Sequence, residues 1–280
     1  MDLVNLPIEA PEIIEYRCNV CGGKNRLDRR LFHRELALCG KCGSNARFRG
    51  IIHVLANLLG EGDGRALREW TRRANIRGFG MSDWPGYAGL LKEKLGYENT
   101  FFDRSPRLDI QNPSEARLGK YDFIISSDVF EHIPPPLQRG FDNLFALLKP
   151  DGSLIFSVPY TRIAQTVEHY PGLREYEILD FRGEKILVNR DEAGVLQVYD
   201  NLVFHGGEGA TLEMRLFCEA DVLSRLARAG FEDILVHEQP RLPIGYYWPE
   251  LKSADPDAPP LYAYIVSARR PAGASVQREN

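Results

Sequence analysis

The chain has 280 residues, enough for one large domain or for a domain plus a small module. Its 44% apolar and 26% charged content is that of a globular protein and excludes a disordered or collagen-like chain. The net charge of −4 speaks against uniform nucleic-acid binding, and the short apolar runs exclude a transmembrane helix.

In chain order, residues 1–14 read as a lead-in broken by Pro7 and Pro11. This stretch lacks a basic segment, so no signal peptide and a cytoplasmic location are expected. Cys18, Cys21, Cys39 and Cys42 follow with the spacing C-x2-C-x17-C-x2-C. Each C-x2-C puts two thiolates on one side of a tight knuckle, and two knuckles complete a closed tetrahedral site for structural Zn²⁺. Gly22, Gly23, Gly40 and Gly43 permit the turns. Disulfides or a redox pair are the alternatives, and a cytosolic setting disfavours disulfides. Cys218 stands alone and reads as a buried small hydrophobe. Between Arg17 and Arg49, nine cationic side chains face only Asp28 and Glu35, a net +7 that leaves −11 for the rest. That basic module implies either an anionic partner or ion pairing with acids of the main domain.

Residues 47–60 show apolar spacing of three and four and predict an amphipathic helix. Alternating short strands and helices begin near residue 75. Strands are expected at 75–79, 99–103, 107–110, 121–126, 153–158, 233–237 and 261–267, with helices at 86–95, 137–148 and 219–229. The segment Tyr121–Pro159 is the most telling. Two strands rich in Val, Ile and Phe, as in a sheet buried on both faces, flank a helix and a Pro150-Asp151-Gly152 turn. The first of these strands ends in Ser126, Ser127 and Asp128, where an open α/β sheet places its ligands.

This segment, with YDFIISSDVFEHI followed by LKPDG, resembles the centre of the class I S-adenosylmethionine-dependent methyltransferases. The resemblance implies an α/β fold: a Rossmann-like, seven-stranded, mostly parallel sheet with helices on both faces. The expected organisation is a zinc ribbon at 1–46, a methyltransferase domain at 47–270 with an insertion at about 160–218, and a disordered tail at 271–280. It also implies cofactor contacts. Gly78 and Gly80 would let the backbone approach the cofactor, although Ile76 and Ser82 depart from the family's acidic and third-glycine positions. Asp103 would take the ribose hydroxyls. Asp109, or else Gln111, would meet the adenine edge, and Ser127 and Asp128 the methionyl side. NAD fits less well, because Asp83 would repel a pyrophosphate.

The insertion contains a hairpin pattern at 176–190 with an Arg182-Gly183 turn, followed by a further apolar run at 195–204. Its VEHYP and FHGGEGATLEMR elements resemble a group of zinc-ribbon-bearing methyltransferases. His205, beside Gly206, Gly207 and Gly209, and His169 are the candidate general bases; structural hydrogen bonding is the alternative for both. Glu168, Glu213 and Arg215 would bind a sugar or phosphate, or pair with one another. His132 reads as a capping or packing residue, with contact to substrate as the alternative. The expected reaction is O-methylation of a saccharide or similar small polar metabolite, with an anionic one compatible. The alternatives are an RNA methyltransferase gripping phosphates through the ribbon and a non-catalytic binding protein. No oligomeric state is specified.

Overall fold

A computed structural model describes residues 12–62, 64–205, 211–249 and 259–273, with the side chain of His205 excepted. The chain forms two compact units, each built from separated segments.

The first unit comprises Met1–Arg72, Trp84–Lys94 and Glu238–Pro249. Strands β1 (Ile13–Arg17) and β2 (Lys24–Asp28) pair as an antiparallel hairpin joined through the first cysteine knuckle. The two knuckles repeat one geometry. Cys18 N–H donates to Gly23 O and Gly22 N–H to Cys18 O; Cys39 N–H donates to Ser44 O and Gly43 N–H to Cys39 O, all at 2.8 Å. Gly22 and Gly43 both have φ of 77°, a left-handed backbone that glycine adopts at little cost. Helix α1 (Ala46–Leu58) starts where Asn45 caps it, its side chain accepting from Phe48 N–H at 2.9 Å. Helix α2 (Pro85–Lys94) opens on proline and buries Tyr87, Ala88 and Leu91 on one face.

The second unit comprises Arg73–Asp83, Leu95–His237 and Glu250–Asn280. Its main sheet is formed by β3 (Arg73–Met81), β4 (Leu95–Thr100), β5 (Tyr121–Ser127), β6 (Leu148–Ser157), β15 (Glu232–His237) and β16 (Ile265–Arg269). The order is β15-β16-β6-β5-β3-β4; only β16 runs antiparallel to its neighbours. Phe123, Ile124 and Ile125 are wholly buried, as expected of a strand covered on both faces. Helix α3 (Leu137–Leu147) packs Leu137, Phe141, Leu144 and Phe145 into the same core, at spacings of three and four. Helix α4 (Glu219–Arg228) carries acids in its first turn and arginines in its last, matching the helix dipole.

Six strands are therefore seen among the described residues, where seven are expected. The segment 107–110 contributes only an isolated bridge between Phe101 and Arg107. Its polar groups serve a turn instead. The Asp109 carboxylate accepts from Gln111 N–H at 2.9 Å and from Asn112 Nδ2 at 3.1 Å, while Asn143 Nδ2 binds the carbonyls of Ile110 and Gln111. The second strand also ends earlier than expected, at Thr100, so Asp103 lies beyond it.

The insertion folds as small sheets. Strands β7 (Tyr160–Thr161) and β8 (Val167–Glu168) flank β14 (Arg215–Cys218). Strands β9 (Glu175–Phe181), β10 (Glu184–Arg190) and β11 (Leu196–Tyr199) form a meander, with β9 and β10 joined by the expected Arg182-Gly183 turn. Strands β12 (Phe204–His205) and β13 (Thr211–Leu212) pair as a short ladder. Tyr170, Leu173, Leu187, Leu212 and Met214 form a separate apolar cluster inside the insertion. The tail expected at 271–280 lies outside the described residues from 274 onward. Among the described residues, no helix is long and apolar enough to cross a membrane.

Candidate active site and metal centre

Strand order reverses between β3 and β5, and the carboxyl ends of these two strands define the ligand crevice of an open α/β sheet. The turn after β3 is held by side chains of β4. Ser82 N–H donates to Thr100 O at 2.7 Å, and Thr100 Oγ1 donates to Gly80 O at 2.8 Å. Asn99 and Asp83 exchange two hydrogen bonds, Asp83 N–H to Asn99 Oδ1 at 2.9 Å and Asn99 Nδ2 to Asp83 O at 2.8 Å. The Tyr97 hydroxyl donates to the buried Asp83 carboxylate. A Cβ at Gly78 would overlap the Phe123 ring, and one at Gly80 would overlap the Asp83 carboxylate and the Tyr97 hydroxyl. The glycines are thus required by packing behind the turn, whatever approaches its front. Ser82 holds the third-glycine position with φ of 57°.

At the end of β5, Asp128 is also left-handed, with φ of 54°. Its N–H donates to Ser157 O at 2.8 Å, and Ser157 Oγ donates to its Oδ1 at 3.3 Å. Ser127 Oγ lies 2.9 Å from Ser157 Oγ. A non-glycine residue held in this region stores strain, and such residues cluster at functional sites. The neighbouring Ser126 Oγ is buried without a hydrogen-bond partner among the described residues.

The other cofactor candidates are placed unequally. Asp103 is exposed, its side chain 73% accessible and 3.9 Å from Arg104. Both carboxylate oxygens of Asp109 are occupied by its own turn. Gln111 differs: Nε2 donates to Pro134 O at 2.7 Å, while Oε1 is buried with no partner. Because a carbonyl only accepts, the amide orientation is fixed and an acceptor is left available.

Beyond Asp128, the loop carrying Glu131 and His132 meets the insertion. Met214 N–H donates to Glu131 O at 2.7 Å, and His132 Nδ1 donates to Leu212 O at 2.8 Å. Arg215, buried on β14, donates to Ile133 O at 2.6 Å, to Phe130 O at 3.1 Å and to Glu168 Oε1 at 2.8 Å. His169 N–H donates to Met214 O at 2.9 Å, and His169 Nε2 lies 3.1 Å from Glu213 Oε1. Glu168 and Arg215 thus pair with each other, as do His169 and Glu213. The His205 backbone pairs with Thr211; its side chain, with Gly206, Gly207 and Gly209, lies outside the described residues. Tyr97, Asn99 and Ser157, which hold the crevice, were not singled out from sequence. Period-two alternation in β4 does put Tyr97 and Asn99 on one face.

In the first unit, the four sulfurs of Cys18, Cys21, Cys39 and Cys42 lie within 4.8 Å of one another, and no cysteine is in a disulfide. Cys18–Cys42 and Cys21–Cys39 are 3.8 and 3.7 Å apart. A tetrahedron with zinc–sulfur bonds of about 2.3 Å has edges of about 3.8 Å, so the donor set fits Zn²⁺. Gly23 N–H and Asn25 Nδ2 each donate to a cysteine sulfur at 3.4 Å. Without metal, the hydrogen bond to Cys42 and burial push the Cys18 thiol up to about 12, and the same bond lowers Cys42. The lopsided basic charge is largely met within this unit: Arg17 pairs with Glu69, Arg26 with Glu15, Arg29 with Glu12, Arg30 with Asp28, and Arg34 and Arg47 with Glu35.

The reversal point, its strained Asp128 and the pinned turn define an open α/β ligand-binding fold. Comparison with known proteins narrows the class. A family model described as Methyltransferase domain matches residues 61–190. Ubiquinone biosynthesis O-methyltransferase of Actinobacillus pleuropneumoniae is 33% identical over 85 residues, which span 30% of this chain and 36% of that protein, so the chain aligns with about a third of its length. Among solved structures, an S-adenosylmethionine-dependent methyltransferase from Mesorhizobium loti is 15% identical, covering 70% of this chain and 92% of the other with a TM-score of 0.40. A sugar N-methyltransferase from Streptoalloteichus is 14% identical, covering 77% and 92% with a TM-score of 0.38.

Proposed function

We propose that the chain is a cytoplasmic S-adenosylmethionine-dependent methyltransferase that methylates a hydroxyl of a saccharide or similar small polar acceptor, with structural zinc on its four clustered cysteines. The observation that carries this reading is the strained, Ser157-bonded Asp128 at the reversal point, three residues before Glu131, whose carbonyl accepts from Met214 next to Glu213. S-adenosylmethionine supplies an electrophilic methyl group on a sulfonium. The turn at Gly78–Ser82 and the residues Ser127 and Asp128 would bind its methionyl part. Asp103 would reach the ribose by movement of its exposed loop. Gln111 suits the adenine amine better than Asp109, since its Oε1 has no other partner.

A hydroxyl acceptor that takes this methyl group would have to give up its proton, so the site needs a base. His169 fits that role. With Nε2–H donating to Glu213, the neutral imidazole keeps its lone pair on Nδ1, and the carboxylate stabilises the imidazolium that forms. His205 remains the second candidate. The ion pairs of the basic module weigh against the RNA alternative, which needs cations available to phosphate.

Calorimetric titration with S-adenosylmethionine and transfer of its labelled methyl group to a panel of saccharides test the reading. One-to-one binding with labelled saccharide is the expected result. Absence of binding favours a non-catalytic binding protein, and labelled RNA with unlabelled saccharides moves the acceptor to nucleic acid.

A further inference from the structure

Arg49, on helix α1, is wholly buried at 0% exposure. Its guanidinium donates to Ser44 O at 2.5 Å, to Ala37 O at 2.8 Å and to Gly245 O at 3.0 and 2.8 Å, and lies 4.8 Å from the centroid of the Tyr16 ring. Every one of these acceptors is a neutral carbonyl. Among the described residues, no carboxylate pairs with Arg49, whereas Arg17, Arg26, Arg29, Arg30, Arg34 and Arg47 of the same module all have one. A buried charge without an opposite charge is costly, even when its hydrogen bonds are satisfied.

The groups that Arg49 touches point to where the opposite charge belongs. Ala37 lies two residues before Cys39, Ser44 two after Cys42, and Tyr16 two before Cys18. The Ser44 carbonyl held by Arg49 also accepts from Cys39 N–H, so the guanidinium grips the second knuckle at its closing hydrogen bond. Four thiolates around one divalent ion carry a net charge of −2; four thiols without metal carry none. Burial disfavours the charged guanidinium, and negative charge at Tyr16, and after it at Cys18, Cys39 and Cys42, opposes that effect.

We propose that Arg49 is the counter-charge of the metal-bound tetrathiolate, so that zinc and Arg49 stabilise one another. The inference rests on the zinc reading above. By linkage, whatever Arg49 contributes to zinc affinity, zinc returns to the burial of Arg49.

The test uses the full chain, with zinc content measured by mass spectrometry and affinity by competition with a chromogenic chelator. Charge-transfer absorption of the cobalt-substituted protein reports thiolate ligation independently of any catalytic activity. Arg49→Met is expected to weaken zinc by about 10–100-fold, the range seen when groups supporting metal ligands are removed. Arg49→Lys keeps the charge but loses the fork that holds three carbonyls. It is expected to retain distinctly more affinity than Arg49→Met, and it remains informative if the methionine variant does not fold, as a lysine variant that folds and loads metal within about tenfold of wild type. Wild-type affinity in Arg49→Met overturns the inference, as does an Arg49→Lys variant that folds but loses zinc as completely as removal of the metal site would. A wild-type chain that holds no zinc overturns the zinc reading first, and this inference with it.

Discussion

Ser82 and Asp128 both hold a left-handed backbone at the ends of the strands that frame the crevice. Their reasons differ. Asp128 is fixed by two hydrogen bonds with Ser157, one donated and one accepted, while Ser82 stands where the family pattern has glycine. Ser82→Gly should stabilise the protein by about 0.5–1 kcal/mol, the scale of such backbone relief, measured as a shift in the urea midpoint. Tyr97→Phe should cost about 1–3 kcal/mol in the same assay, because a buried carboxylate loses its hydroxyl donor. For the proposed base, His169→Gln should lower methyl transfer by about 10²–10⁴-fold with S-adenosylmethionine affinity unchanged by calorimetry. Unchanged turnover would leave His169 a purely structural hydrogen-bonder. Residue type alone exposed the cysteines, the glycines and the two histidines. It named Glu213 but not its pairing with His169, and it did not expose Ser157, because each acts on a partner tens of residues away that only the tertiary fold brings near.

At the scale of elements, the apolar patterns and turn residues made most of the central sheet readable. Buried Val, Ile and Phe marked β5 and β6, and the Arg182-Gly183 turn marked the hairpin of β9 and β10. The exception, 107–110, shows why pattern reading fails there. Leu108 and Ile110 are buried like alternate residues of a strand, yet Asp109 between them caps a turn and Asn143 takes the carbonyls that a ladder would use. Alternation reports burial, not hydrogen bonding. The attachment of the insertion was equally hidden, since it depends on Arg215 reaching the carbonyls of Phe130 and Ile133. Arg215→Ala should destabilise by about 1–3 kcal/mol, through carbonyls left unpaired in a buried setting, and should speed protease cleavage within 160–218. Cleavage at the wild-type rate would show that the insertion is anchored elsewhere.

At the scale of the whole molecule, the four-cysteine cluster proposed to bind zinc lies in the first unit with the short hairpin of β1 and β2. A module this small commonly depends on its metal for folding. Stripping zinc with a strong chelator should therefore lower the melting temperature and release the hydrogen-exchange protection of residues 13–44, with re-addition restoring both. Because binding displaces thiol protons, among them that of the raised Cys18 thiol, loading should strengthen as pH rises and weaken as it falls. Loading that is flat between pH 5 and 8 would contradict thiolate ligation.

The first unit has one property with a bearing on how the protein is made. It takes its parts from residues near the start of the chain, from Trp84–Lys94 and from Glu238–Pro249. Gly245, which receives two hydrogen bonds from Arg49, belongs to the last of these segments. During synthesis, a ribosome finishes the cysteine knuckles early, yet Arg49 has no Gly245 carbonyl to bind until some two hundred further residues have emerged. The knuckles must then wait until that later segment has been made before it can close around them.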